Sequence, residues 1–130
     1  MSWRAALRSP AGLWGPVVAY MVLIFILSSR TDPPLPSQLS DIQGHSIGYL
    51  GLTVTIGRAL AGGVSSGATL RAAAGAWVIA VAYGASDEWH QSFVPGRSPD
   101  VADWFADAVG ALAGAGACWA WGIIRVRADV

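Results

Sequence analysis

Apolar residues along this chain fall into four blocks separated by short polar or glycine-rich stretches. The cleanest block is "GLWGPVVAYMVLIFILS", Gly12 to Ser28, which carries no charge. It meets "RTDPPLPS", where Pro33, Pro34 and Pro36 cannot continue a helix and favour extended backbone. The second block starts near Ser40, runs through "DIQGHSIGYLGLTVTIGRAL" and stops before "AGGVSSG". The third begins near Leu70 with "RAAAGAWVIAVAYGAS" and runs into Asp87; the fourth extends from Asp100 to about Ile124. A bilayer core about 30 Å thick asks for roughly 20 mainly apolar residues per helix, with a lower end near 17. The pattern predicts an all-α fold: a four-transmembrane-helix bundle in one domain over residues 1–130, with passes near 12–28, 41–60, 70–91 and 101–124.

The second and third blocks are polar for membrane helices. Such segments are accommodated when their polar faces pack on other helices or line a wet cavity. Arg4 and Arg8 would also suit a signal peptide, but "SSRTDPP" lacks a clean small-x-small cleavage site, so the first block reads as a pass.

Composition agrees. Hydrophobic residues make up 54% and charged residues 12%, against about 25% charged in soluble domains. Zero net charge and the lack of a basic tract leave no electrostatic footprint for nucleic acid. Cys118 is alone, so the chain builds neither an internal disulfide nor a multi-thiolate zinc site. With four passes, Arg4, Arg8, Arg58, Arg71, Arg125 and Arg127 lie on one side and Arg30 and Arg97 on the other. That bias predicts a multi-pass protein of the cell membrane with both termini cytoplasmic. Tryptophans near helix ends read as interfacial anchors. Gly110 with Gly114, and Gly48 with Gly51, predict close helix packing.

In this topology the unusual polar residues gather at the outer side. Five of the eight acidic residues lie between Asp87 and Asp107. Residues three and four apart share a helical face. Asp41, His45 and Tyr49 therefore descend one face of the second helix, and Tyr83, Asp87 and either His90 or Gln91 form a row on the third, with Glu88 beside it. Asp103 and Asp107 share the face of Gly110 and Gly114 on the fourth. These side chains predict a polar cavity at the extracytoplasmic side. Asp41 and Asp100 also sit at helix starts, where capping alone explains a carboxylate.

Crowded carboxylates beside a histidine suit general acid/base work, and Arg97 in a "PGR" turn suits bidentate binding of a phosphate or carboxylate. A metal could draw on His45, Asp41 and Asp87 or Glu88, but the intervals lack a ligand signature, so no metal site is assigned. No G-x-S-x-G elbow, Walker loop or dinucleotide fingerprint occurs. Beside these stands a plain reading, in which the polar network only locks the helices in one arrangement. A small transporter using intramembrane carboxylates as proton sites is a further alternative.

"DIQGHSIGYLGL" is similar to the D-x-x-x-H-x-x-x-Y-x-x-L stretch of the VanZ-like family. "SDEWHQSFVPGRSPDVADWFADAVGALAG" resembles that family's D-E-x-x-Q-x-F-x-P-x-R-x-x-x-x-x-D-x-x-x-N-x-x-G stretch, and "IFILSS" fits the end of its first helix. The resemblance implies an integral membrane protein of the cell envelope, named after a teicoplanin-resistance determinant, with a possible link to glycopeptide resistance. Its polar signature falls on Asp41, His45, Tyr49, Asp87, Glu88, Gln91, Phe93, Pro95, Gly96, Arg97, Asp103 and Gly110. Two positions depart: Ile42 stands where a Lys is expected, and Asp107 where an Asn is usual. Both reduce the local positive balance.

The expected site therefore has Asp41, His45, Asp87, Glu88, Gln91 and Asp103 as catalytic candidates and Tyr49, Arg97 and Asp107 as ligand-binding ones. The expected partners are the lipid bilayer and a lipid-linked or cell-wall-related ligand. Neither a cofactor nor a reaction is specified by the sequence.

Overall fold

The computed structural model describes residues 3–34 and 36–128, with the side chains of Trp3 and Arg4 outside the description. The belt reading of Trp3 and the orientation reading of Arg4 therefore lie outside the described residues. Among the described residues the chain is all helical, with no strand: α1 (Trp3–Arg8), α2 (Pro10–Ser28), α3 (Asp41–Leu60), α4 (Leu70–Gln91) and α5 (Val101–Ala128).

Local chemistry sets the boundaries. Ser9 caps α2, its hydroxyl accepting from the Gly12 N–H, and Pro10 occupies the first turn, where a missing N–H leaves no gap. Ser40 caps α3 in a reciprocal box with Gln43. Asp41 follows the cap instead of forming it. Thr69 caps α4, and the Asp100 carboxylate accepts from the Ala102 N–H at the start of α5. Gly96 turns the α4–α5 loop at φ +78°, a conformation that suits glycine.

α3 and α5 form the most extensive pair, α4 packs on both, and α2 lies against α3 while barely touching α4. Small residues make the α3–α5 seam. Gly110 faces the Ser46 carbonyl so closely that a Cβ would collide with main chain, and one on Gly114 would lie 2.6 Å from the Leu50 oxygen. Both glycines thus serve packing within the chain. Gly51 receives the Tyr20 ring, but Gly48 has open space beside it, so it leaves room where the sequence pattern predicted close packing.

The burial pattern combines an apolar core with an apolar exterior. The interior holds Leu52, Ile56 and Tyr49 among alanines, together with Thr53, Gln91 and three carboxylates. The outside carries Val18, Val22, Leu23 and Ile26 of α2, Ile47 and Val54 of α3, Val78 of α4, and Val109, Leu112 and Ile124 of α5. Extensive apolar surface of this kind requires an apolar surrounding or a partner. By length and composition α2 and α5 can each cross a membrane. α3 and α4, with 20 and 22 residues, have the length, about 1.5 Å per residue, but their inward polar residues lower their hydropathy.

The tryptophans divide. Trp14 and Trp89 are exposed, whereas Trp77 donates to the Ala108 carbonyl and Trp104 to that of Val81, each at 3.1 Å. These two indoles tie α4 to α5, which is more than interfacial anchoring; a buried indole N–H needs an acceptor, and the neighbouring helix supplies it.

Candidate functional site

The polar residues collect at the end of the bundle where α2 and α4 finish and α3 and α5 begin. They form two groups, separated because Asp87 and Glu88 are neighbours in sequence and point about 100° apart around α4.

Asp87 faces α2. Its Oδ1 accepts from the Ser28 hydroxyl at 2.6 Å and its Oδ2 from the Gln91 amide at 3.2 Å. His90 lies 3.8 Å from the same carboxylate and stacks on Phe25, ring centroids 4.2 Å apart. Gln91, rather than His90, therefore completes the α4 row. Asp87 is only 4% exposed, and both of its oxygens are bonded.

Glu88 faces α5. Its Oε2 accepts from the Asp100 N–H at 2.9 Å, holding the start of α5, while its Oε1 is buried with no hydrogen-bond partner among the described residues. His45 Nδ1 lies 2.8 Å from Asp107 Oδ1, and its Nε2 is 3.7 Å from Asp103 Oδ2. Asp107 is 0% and Glu88 8% exposed, and Asp107 Oδ2 also lacks a partner. Leaving a buried acceptor unpaired costs about 1–3 kcal/mol, more when it is charged. His45, Glu88 and Asp107 offer one ligand atom each within 4.8 Å of one another, a set of one imidazole and two carboxylates able to hold a metal ion.

Between α2, α3 and α4 lies a cleft of about 130 Å³ lined by Ile24, Leu27, Ser28, Pro33, Pro34, Asp41, Gly44, His45, Gly48, Tyr49, Asp87, Gln91 and Arg97. Most of its accessible wall is apolar, with the polar groups as a minority lining. The polar cavity expected from the sequence is thus an apolar cleft with polar groups set into it, because most of the carboxylate oxygens turn toward other helices. Asp41 lies exposed at the rim, and the space beside Gly48 opens into the cleft. Arg97 donates to the Arg30 carbonyl at 3.2 Å and, among the described residues, has no carboxylate within 4 Å. Its charge is therefore available to an incoming anion.

The sequence pattern that defines the VanZ/LLP1 family matches residues 13–124. The chain belongs to the VanZ/LLP1 family. No curated protein and no solved structure matches it.

As a VanZ-like membrane protein, the chain brings the expected site residues together only in part. Asp41, His45, Tyr49, Asp87, Gln91 and Arg97 line the cleft, whereas Glu88, Asp103 and Asp107 stand outside its lining. His45 belongs to both settings, since it lines the cleft and bonds Asp107. Tyr49 is 2% exposed and its hydroxyl has no partner. Two contributors were not singled out from the sequence. Ser28 supplies the hydroxyl from which Asp87 accepts; its signal was a polar residue at the C-terminal end of "IFILSS". Gly84 lets α4 approach its neighbours closely, since a Cβ there would lie 3.0 Å from Asp107 Oδ2 and 3.3 Å from the Tyr49 ring. A glycine inside an alanine-rich VanZ helix gives no sequence cue to such a role.

Proposed function

We propose that this VanZ-family protein is a four-pass membrane protein of the cell envelope that binds a lipid-linked ligand carrying an anionic head group. The observation that carries the proposal is the composition of the cleft: an apolar wall from Ile24, Leu27, Pro33 and Pro34 leads to His45, Asp87 and Gln91, with Arg97 at its edge. An amphipathic ligand matches this lining, its hydrocarbon against the apolar wall and a phosphate or carboxylate on Arg97. Arg presents a planar fork of donors suited to such oxygens. His45 and Gln91 line the cleft where a head group would sit.

The four-pass reading is supported by the apolar exterior on all four long helices. The arginines support its sidedness. Arg8, Arg58 and Arg125 gather at one end, where Arg8 bonds the Ser65 hydroxyl, Arg125 the Ser65 carbonyl, and Arg58 the carbonyls of Gly12 and Leu13. Arg30 and Arg97 meet at the other end. The arginine-rich end is then cytoplasmic and the cleft faces outward.

Binding of a polyprenyl phosphate to the protein in lipid nanodiscs tests the proposal. The wild type binds it in preference to the uncharged polyprenol, and Arg97→Gln lowers affinity about 10-fold, as expected for loss of a charge-assisted hydrogen bond. Equal binding of phosphate and alcohol, with no effect of Arg97→Gln, would refute it. The glycopeptide link that the family name suggests is tested separately, by teicoplanin susceptibility of cells with and without the gene.

A further inference from the structure

The group His45, Glu88 and Asp107 lies behind the cleft and has a composition that hydrogen bonds within the protein leave incomplete. We propose that it is a binding site for a first-row divalent cation of the zinc or manganese class, coordinated by His45 from α3, Glu88 from α4 and Asp107 from α5.

Three observations converge. The three residues each present a ligand atom within 4.8 Å of the others. Ligand atoms about 2.1 Å from a tetrahedral ion stand about 3.4 Å apart, so only a small side-chain contraction closes the set. Glu88 and Asp107 are both more than nine-tenths buried, and each keeps one oxygen without a partner, Oε1 and Oδ2. Lastly, Gly84 lets the α4 main chain approach the free Asp107 oxygen, from which a Cβ there would lie 3.0 Å, and the ring of Tyr49, whose own hydroxyl is buried and unpaired.

Charge points the same way. Glu88, Asp103 and Asp107 approach a single imidazole, and no arginine among the described residues lies within 4 Å of any of them. A divalent cation neutralises two carboxylates at once and occupies the lone pairs that the protein leaves free. The imidazole disfavours magnesium and calcium, which take oxygen ligands, and favours zinc or iron, while the two carboxylates also admit manganese. Three protein ligands leave at least one coordination position open. The site does not depend on the cleft's ligand, although His45 places it one side chain away.

The test uses the full chain in lipid nanodiscs, stripped with a chelator and then titrated with Zn²⁺ or Mn²⁺, with bound metal measured by equilibrium dialysis and elemental analysis. The wild type takes up one ion per chain, calcium in excess does not displace it, and the bound ion raises the unfolding temperature. Glu88→Gln and Asp107→Asn each weaken uptake at least about 100-fold, the upper end of what loss of an outer-layer partner costs, and remove the thermal shift. Arg97→Gln keeps full uptake while losing polyprenyl phosphate, so the two sites fail separately. Folded wild type that takes up neither ion overturns the proposal, as does equal uptake by wild type and Glu88→Gln. The Glu88 variant keeps the question open to test should Asp107→Asn fail to fold, because Gln retains an oxygen to accept from Asp100.

Discussion

Asp87 and Asp107 are both buried carboxylates on neighbouring helices, yet the protein treats them differently. Asp87 has each oxygen bonded, one by Ser28 and one by Gln91. Asp107 has one oxygen against His45 and the other unpaired. A satisfied buried carboxylate rigidifies the elements around it, whereas an unsatisfied one is costly unless something absent from the chain completes it. The contrast teaches that burial of an acid does not by itself distinguish a structural lock from a site; the count of unpaired oxygens does. It assigns the lock to α2 and α4 and the open valence to α3, α4 and α5.

The largest effect that would break this contrast concerns the cation: Glu88→Gln lowers zinc affinity at least about 100-fold, whereas Ser28→Ala leaves uptake in dialysis unchanged. Stability comes next. Ser28→Ala strips a buried acceptor of its donor and destabilises the protein by about 1–3 kcal/mol, read as a lower unfolding temperature in nanodiscs. In metal-free protein the two acids should differ in size of effect: Asp87→Asn disturbs two completed hydrogen bonds and lowers the unfolding temperature more than Asp107→Asn, which disturbs one. Equal shifts would erase the distinction. Ligand binding is smaller still, with Arg97→Gln costing about 10-fold for a polyprenyl phosphate. Smallest is Ser40→Ala, which removes the α3 cap, costs about 1 kcal/mol and leaves both groups intact in thermal and dialysis measurements.

Much of the fold was legible because helix signals here are local. The proline stop after Ser28, the serine before Asp41 and the glycine-rich break after Leu60 are all readable in order along the chain. Helical spacing also placed Asp41, His45 and Tyr49 on one face, and all three line the cleft. What spacing could not give was the partner across a gap. Helical spacing puts Glu88 beside the Asp87 row, but it does not show that the 100° turn between them sends the two to different helices. The Ser28–Asp87 bond joins residues 59 apart, and nothing local in either segment announces it. The same holds for Gly48, whose small size reads as close packing in sequence while in the structure it opens into the cleft.

The contact between Gly110 and the Ser46 carbonyl has a consequence for tolerance to change. Ser46 follows His45 in sequence, and Gly110 lies one turn below Asp107. The distance between imidazole and carboxylate is therefore gauged by main chain against main chain, a mechanical stop with no flexible side chain in between. A single methyl at position 110 would act as a shim, spreading the pair without altering either member.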